Sequence, residues 1–302
     1  MGPLLCLLSA AGFGAMAIFG KLAFDAGVET GDLLLVRFAL AALLLAAVAR
    51  ATGALRGLTR RSLTIGLAMG AVLYAAQSGL FFTALGRMDA SLLALILYIY
   101  PAAVMVGAVL LGREHWSPRK VTALLVALAG VTLVLAAAAT GGVDALGTVL
   151  ALAAALTYTV YILIGDRAGA GLQPLALTLL VCIGATFTFS LAAAVRGGPE
   201  LDFAAEGWLW IGALVLVSTV GAIILFFAGL RRVGPSAASI LSTLEPVVTV
   251  GLAAAAFGES LAPVQLLGGA LVLSAVVVMQ WPARGGESAA SCRPQAVPYS
   301  GH

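Results

Sequence analysis

Charge is scarce in this chain. Asp, Glu, Lys and Arg make up only 10% of its 302 residues, against roughly 25% in a soluble globular domain. So few charges cannot cover a water-facing surface, and 62% hydrophobic residues with a mean hydropathy of +1.11 are more than a soluble core could bury. Histidine is nearly missing: His115 falls between predicted spans and His302 is the last residue. A Ser/His pair or a His-based metal centre inside a membrane is thereby excluded. Cysteine is sparse too, and Cys6, Cys182 and Cys292 are spaced for neither a zinc site nor a disulfide framework. No P-loop or other cofactor motif occurs, so no ATP-driven step and no cofactor is expected. Residues Met1–Ser9 lack the basic start of a signal peptide, and their apolar run continues past Ala17. They read as a retained first helix.

Apolar runs dominate instead. About 20 such residues cross the ~30 Å hydrocarbon layer as a helix. Ten stretches qualify: 3–23, 32–50, 62–85, 91–112, 118–138, 146–165, 174–195, 207–230, 236–257 and 263–281. They are continuous rather than alternating, which excludes barrel strands and leaves helices as the only spanning structure. The fold class expected is all-α integral membrane, with the lipid bilayer as solvent. With the N-terminus inside, cytoplasmic loops hold Arg50, Arg56, Arg60, Arg61, Arg113, Arg119, Lys120, Arg167, Arg231, Arg232, Arg284 and Arg293. Outer loops hold only Arg87 and Arg196, so both termini are expected in the cytoplasm. The basic cluster Arg56–Arg61 satisfies that rule and calls for no nucleic acid.

The chain also repeats itself. A shift of 145 residues pairs Phe81-Phe82 with Phe226-Phe227, Ser91 with Ser236, Pro101 with Pro246, Glu114 with Glu259 and Pro118 with Pro263. Prolines and charged residues holding one offset mark a duplicated unit. The loop Arg113–Lys120 loses its basic residues in the second copy, Gly258–Gln265. Five helices per copy set the second upside down, as in secondary transporters. The expected organisation is a first five-helix repeat over 1–140, an inverted second over 141–282, and a disordered cytoplasmic tail over 283–302.

Two copies of a five-helix unit, with Tyr98-Ile99-Tyr100-Pro101 through Gly112-Arg113-Glu114 in one and Leu244-Glu245-Pro246-Val247 through Gly258-Glu259 in the other, resemble the EamA-type family of the drug/metabolite transporter superfamily. The resemblance covers residues 3–281. It implies a ten-helix exporter in a bacterial inner membrane, working by alternating access on amino acids or related metabolites. The aromatic-amino-acid exporter branch is the most similar. A multidrug, nucleoside or sugar permease of the same fold is the alternative, and a single chain is expected to suffice.

Polar groups within the spans mark candidate sites, because each is costly in hydrocarbon. Glu245 lies mid-span, where a charged side chain costs about 2.5–3.5 kcal/mol on insertion scales. Pro246 follows it and frees a backbone carbonyl one turn back. Glu245 either binds a substrate ammonium or a coupling proton, or bridges helices. Tyr74, Gln77, Ser78 and Phe81 share one face of the third span at i, i+3, i+4 and i+7. Thr157, Tyr158 and Tyr161 form a second polar and aromatic group, Ser239, Ser242 and Thr243 a third, and Tyr98 is similar. Together these predict a cavity for a small-molecule substrate, neutral or aromatic rather than polyanionic; interhelical hydrogen bonding is the other reading of the same residues. Lys21 is expected to pair with Asp25 one turn on, and Arg37 to snorkel outward near Asp32. An enzyme is disfavoured, since a lone mid-span carboxylate makes no catalytic dyad.

Overall fold

The computed structural model describes residues 1–113, 115–140, 144–168, 173–233 and 241–280, without the side chains of 119, 135, 137–140, 166–168, 231, 279 and 280. Glu114, Ser236, Ser239, Trp281 and the tail over 283–302, on which some of the expectations above rest, lie outside these residues.

Every regular element among the described residues is helical. Helices α1 (Gly2–Asp25), α2 (Thr30–Thr52), α3 (Arg60–Leu85) and α4 (Ala90–Leu110) are long and apolar enough to span a membrane. So are α6, which runs over Ala145–Ala168, α7 (Pro174–Val195) and α8, which runs from Ala205 to Val233. The remaining three rods are α5 (Pro118–Thr140), α9 (Leu244–Phe257) and α10 (Pro263–Gln280). Their described apolar stretches are shorter, at 10–17 residues. Chain-long apolarity makes this a multi-pass membrane protein, whose large exposed side chains such as Leu43, Leu125, Phe187 and Leu209 suit lipid.

Helix packing follows the internal repeat. Helix α1 packs on α8 as α6 packs on α3; α1 meets α9 as α6 meets α4; α3 meets α7 as α8 meets α2. The pairs α2–α7, α4–α9 and α5–α10 are their own counterparts. At the α5–α10 crossing, a Cβ on Gly130 would lie 2.5 Å from the Gly268 carbonyl oxygen, and one on Gly268 equally close to that of Gly130. Small residues let the backbones touch there. The counterparts of that pair under the 145-residue shift, Ala275 and Ala123, share one small buried cluster.

Local irregularities repeat as well. Helix α3 contains a π-helical turn at Met69–Tyr74, and α8 one at Leu216–Gly221. Helix α4 breaks at Tyr98–Ile99, just before Pro101. The turn at Thr243, 145 residues after Tyr98, precedes Pro246 in the same way. Both α4 and α9 are followed by glycine with left-handed backbone: Gly112 and Gly258 each have φ +66°, which a side chain would strain.

Ion pairs within the described residues gather at one end of the bundle. Arg87 meets Asp144 at 3.1 Å, Arg196 meets Asp32 at 3.1 Å and Glu29 at 3.2 Å, and Lys21 meets Glu259 at 2.7 Å. Lys21 therefore reaches across to the loop after α9 rather than to Asp25, because the Glu259 side chain is 6% exposed and its charge less screened than that of the exposed Asp25. These contacts place the C-terminal end of α1 and the N-terminal end of α6 on the same face. Helix α1 therefore ends at the face where α6 begins.

Candidate substrate cavity

Breaks in α1, α4 and α9 meet at the centre of the bundle and explain how polar groups are accommodated there. Pro246 has no N–H to donate to Ser242 O four residues earlier. Tyr98 supplies the replacement: its hydroxyl donates to Ser242 O at 2.9 Å and also lies 3.3 Å from Glu245 Oε2. Glu245 sits in the first turn of α9, where the helix dipole favours a carboxylate. Across the gap α1 is interrupted at Ala15, and Thr249 Oγ1 donates to the Gly14 carbonyl at 2.9 Å. Freed backbone groups are thereby satisfied by neighbouring helices, as hydrocarbon demands.

A cavity of about 310 Å³ opens beside this junction. Tyr74, Gln77 and Ser78 line it from α3 together with Phe81, Tyr98 from α4, Tyr158 from α6, and Ser242 and Glu245 from the start of α9. Thr157 and Tyr161 do not line it. Thr157 is turned from Tyr158 by 100° of helix and spends its hydroxyl on Ala153 O at 2.8 Å. Tyr161 forms a second row, its ring 5.3 Å from that of Tyr74 and 6.0 Å from that of Tyr158. Tyr100, Phe82, Phe226, Phe227, Met16 and Phe13 also line the space. The pairing of Phe81-Phe82 with Phe226-Phe227 was the signal that could have found three of them, Phe82, Phe226 and Phe227.

Arg37 is the main correction. Instead of snorkelling outward beside Asp32, it is 1% exposed and lines the cavity. Asp32 is held instead through Oδ1 by Arg196, the residue that follows α7. The Arg37 Nε donates to Thr219 Oγ1 at 3.2 Å, and an Nη lies 3.5 Å from Met16 Sδ. Thr219 stands in the π-turn of α8 and donates to Leu214 O, five residues back, at 2.9 Å. The guanidinium also lies 5.1 Å and 5.3 Å from the ring centres of Phe38 and Phe82. No carboxylate of the described residues pairs with it, nor does any cation pair with Glu245. A guanidinium and a carboxyl group thus line one cavity without a counter-charge among the described residues.

Rings connect those two groups. Phe38 is 5.6 Å from Tyr74, Tyr74 5.3 Å from Tyr161, Tyr161 6.0 Å from Tyr158, Tyr158 4.8 Å from Tyr100 and Tyr100 5.7 Å from Tyr98. Six aromatic side chains make one continuous row of rings from beside Arg37 to beside Glu245, and four of them, Tyr74, Tyr98, Tyr100 and Tyr158, line the cavity.

A second polar cluster closes the ion-paired end. Glu259 accepts from the backbone N–H of Ala90 and of Ser91, each at 3.0 Å, from Ser91 Oγ at 2.8 Å, and from Lys21 Nζ at 2.7 Å. It caps α4 from the α9–α10 loop and fastens α1 to both. Burial alone would raise its carboxyl, but the Lys21 ammonium and the Ser91 and Ala90 donors outweigh that and hold it below the ordinary value.

Fold and cavity define a multi-pass helical membrane protein whose polar chemistry converges on one central chamber. The chain matches the EamA-like transporter family twice, over residues 1–136 and 145–281, and belongs to that family of membrane transporters. It is 28% identical over 199 residues to an uncharacterized transporter of Archaeoglobus fulgidus, spanning 66% of this chain and 70% of that one. A protein of known crystal structure shares the fold with a TM-score of 0.64 at 19% identity, covering 92% of this chain and 96% of the other.

Proposed function

We propose that the chain is a secondary transporter that exports small metabolites, foremost neutral or aromatic amino acids, by alternating access. The observation that carries this reading is the cavity: aromatic side chains with one carboxyl and one guanidinium, each without a counter-charge among the described residues. A compact molecule with an apolar body and charged ends matches those walls, whereas a sugar phosphate would need a cluster of cations. In this reading residues 1–140 and 141–282 are inverted halves of five spans each. The loops carrying most of the arginines, both termini and the tail face the cytoplasm of a bacterial inner membrane. The end of α1 at the face where α6 begins supports this, and so does the small-residue contact of α5 with α10. The Lys21–Glu259–Ser91 latch then closes the outer mouth, and one chain encloses the entire pathway.

Glu245 serves as the ammonium or proton site. Uptake by proteoliposomes of phenylalanine, threonine and methionine, with and without a pH gradient, tests the assignment. Transport of at least one of them is expected. Glu245→Gln should then either weaken that amino acid's affinity about tenfold or more, for a lost charge-assisted bond, or abolish the response to the gradient. Wild-type affinity and an unaltered pH profile would make Glu245 a helix bridge. Transport of a sugar phosphate with no response to these amino acids would overturn the reading.

A further inference from the structure

We propose that Arg37 binds the carboxylate of the transported molecule, so that the cavity selects for a free carboxylate as well as for an apolar body. The inference rests on the reading of the cavity as the substrate site. An intramembrane guanidinium is costly unless it is paired or faces a polar cavity. Arg37 is 1% exposed, lines the cavity and has no carboxylate partner among the described residues. Its neighbours are a hydroxyl, a thioether and two ring faces, none of which cancels its charge.

Geometry favours a ligand role over packing alone. Thr219 holds Nε from a π-turn of α8, and such turns are frequent at functional sites. The rings of Phe38 and Phe82 lie 5.1 Å and 5.3 Å from it, so side chains of α2, α3 and α8 surround the guanidinium before any ligand arrives. A fork of N–H donors fixed in that way matches a carboxylate in two parallel hydrogen bonds, which an ammonium cannot reproduce. Glu245 lines the same cavity from another helix, so in this reading a substrate's carboxylate and amine are recognised by different residues.

The test compares three probes binding to the purified full-length chain in detergent: phenylalanine, phenylalanine methyl ester, which has no anionic end, and 3-phenylpropionate, which has no amine. The wild type is expected to bind phenylalanine at least about tenfold more tightly than the ester. Arg37→Gln should weaken phenylalanine and 3-phenylpropionate about tenfold to a hundredfold and leave the ester unchanged. Arg37→Lys, which keeps the charge but loses the fork, should recover part of that loss. If Arg37→Gln is not recovered folded, Arg37→Lys carries the test, with weakened binding of both acids and unchanged binding of the ester. Tight phenylalanine binding with the preference over the ester intact in the variants would overturn the role of Arg37 and leave the amino-acid reading standing. Binding of none of the three by the wild type would overturn both.

Discussion

A single carboxylate, Glu259, joins three helix ends, and its environment gives a signed pH dependence. Its carboxyl lies below the ordinary value in the folded chain, held there by Lys21, Ser91 and Ala90 against the opposing effect of burial. A group depressed on folding contributes stability above its unfolded value, about 4.3 for glutamate, and loses it as pH falls through the folded value. Glu259→Gln should therefore unfold at lower temperature than the wild type near pH 7. Thermal unfolding in detergent should show the two curves converging as pH falls below about 4. A gap between them that persisted unchanged at acid pH would mean that the carboxylate charge is not what joins these ends. Arg37 shows the opposite lesson at the same scale. Its distance from the predicted helix end looked like that of a snorkelling side chain, and nothing in a linear string reveals that Arg196, more than 150 residues away, takes Asp32 instead.

Elements were more legible than side chains, because length and apolarity are properties of a segment while a contact belongs to a fold. The runs at 32–50 and 174–195 correspond to α2 and α7 with little adjustment. Pro101 and Pro246 announced the breaks in α4 and α9, and a proline's missing donor is readable from sequence. The π-turns at Met69–Tyr74 and Leu216–Gly221 were not, since their sequences have no residue type in common that would demand a wider turn. Tyr74, Gln77, Ser78 and Phe81 were still placed together, as they begin at the end of that turn and continue in regular helix. Thr157 and Tyr161 were grouped with Tyr158 on spacing alone, and the rotation of α6 then decided which of them reached the cavity. The crossing of α5 and α10 offers an element-scale test. Gly130→Val would drive side-chain atoms into the Gly268 backbone, which cannot move out of the way as a flexible side chain could. Overpacking of this kind costs about 1–3 kcal/mol. Gly130→Val should lower the unfolding temperature, whereas the same change at Gly251, with open space around it, should leave it nearly unchanged. Equal effects at the two sites would show that the helices do not cross at Gly130.

For the molecule as a whole, the proposed alternating-access cycle requires two mouths, of which only one is latched at a time. Lys21, Ser91 and Glu259 fasten α1, α4 and the α9–α10 loop at the ion-paired end. The cavity lies away from that latch: its lining includes Ala17 but not Lys21, and it extends to Phe226 and Phe227 near the far end of α8. Losing the Glu259 charge removes charge-assisted hydrogen bonds worth about 1.5–3 kcal/mol, equivalent to roughly tenfold to a hundredfold in the ratio of latched to unlatched molecules. Ala94 is the position to read this ratio, since it lines the cavity one turn from Ser91 and a cysteine adds only one sulfur atom to it. In a chain with Cys6, Cys182 and Cys292 changed to alanine, Ala94→Cys should be shielded from a membrane-impermeant thiol reagent added at the latched side. Adding Glu259→Gln should raise its labelling rate from that side about tenfold or more, and Lys21→Met should act in the same direction. The two together should add little beyond either alone, because both break one latch. A rate that is unchanged in every variant would show that the cluster braces helix ends without controlling access. Labelling that rises only from the opposite side would place the gate at the other end of the bundle.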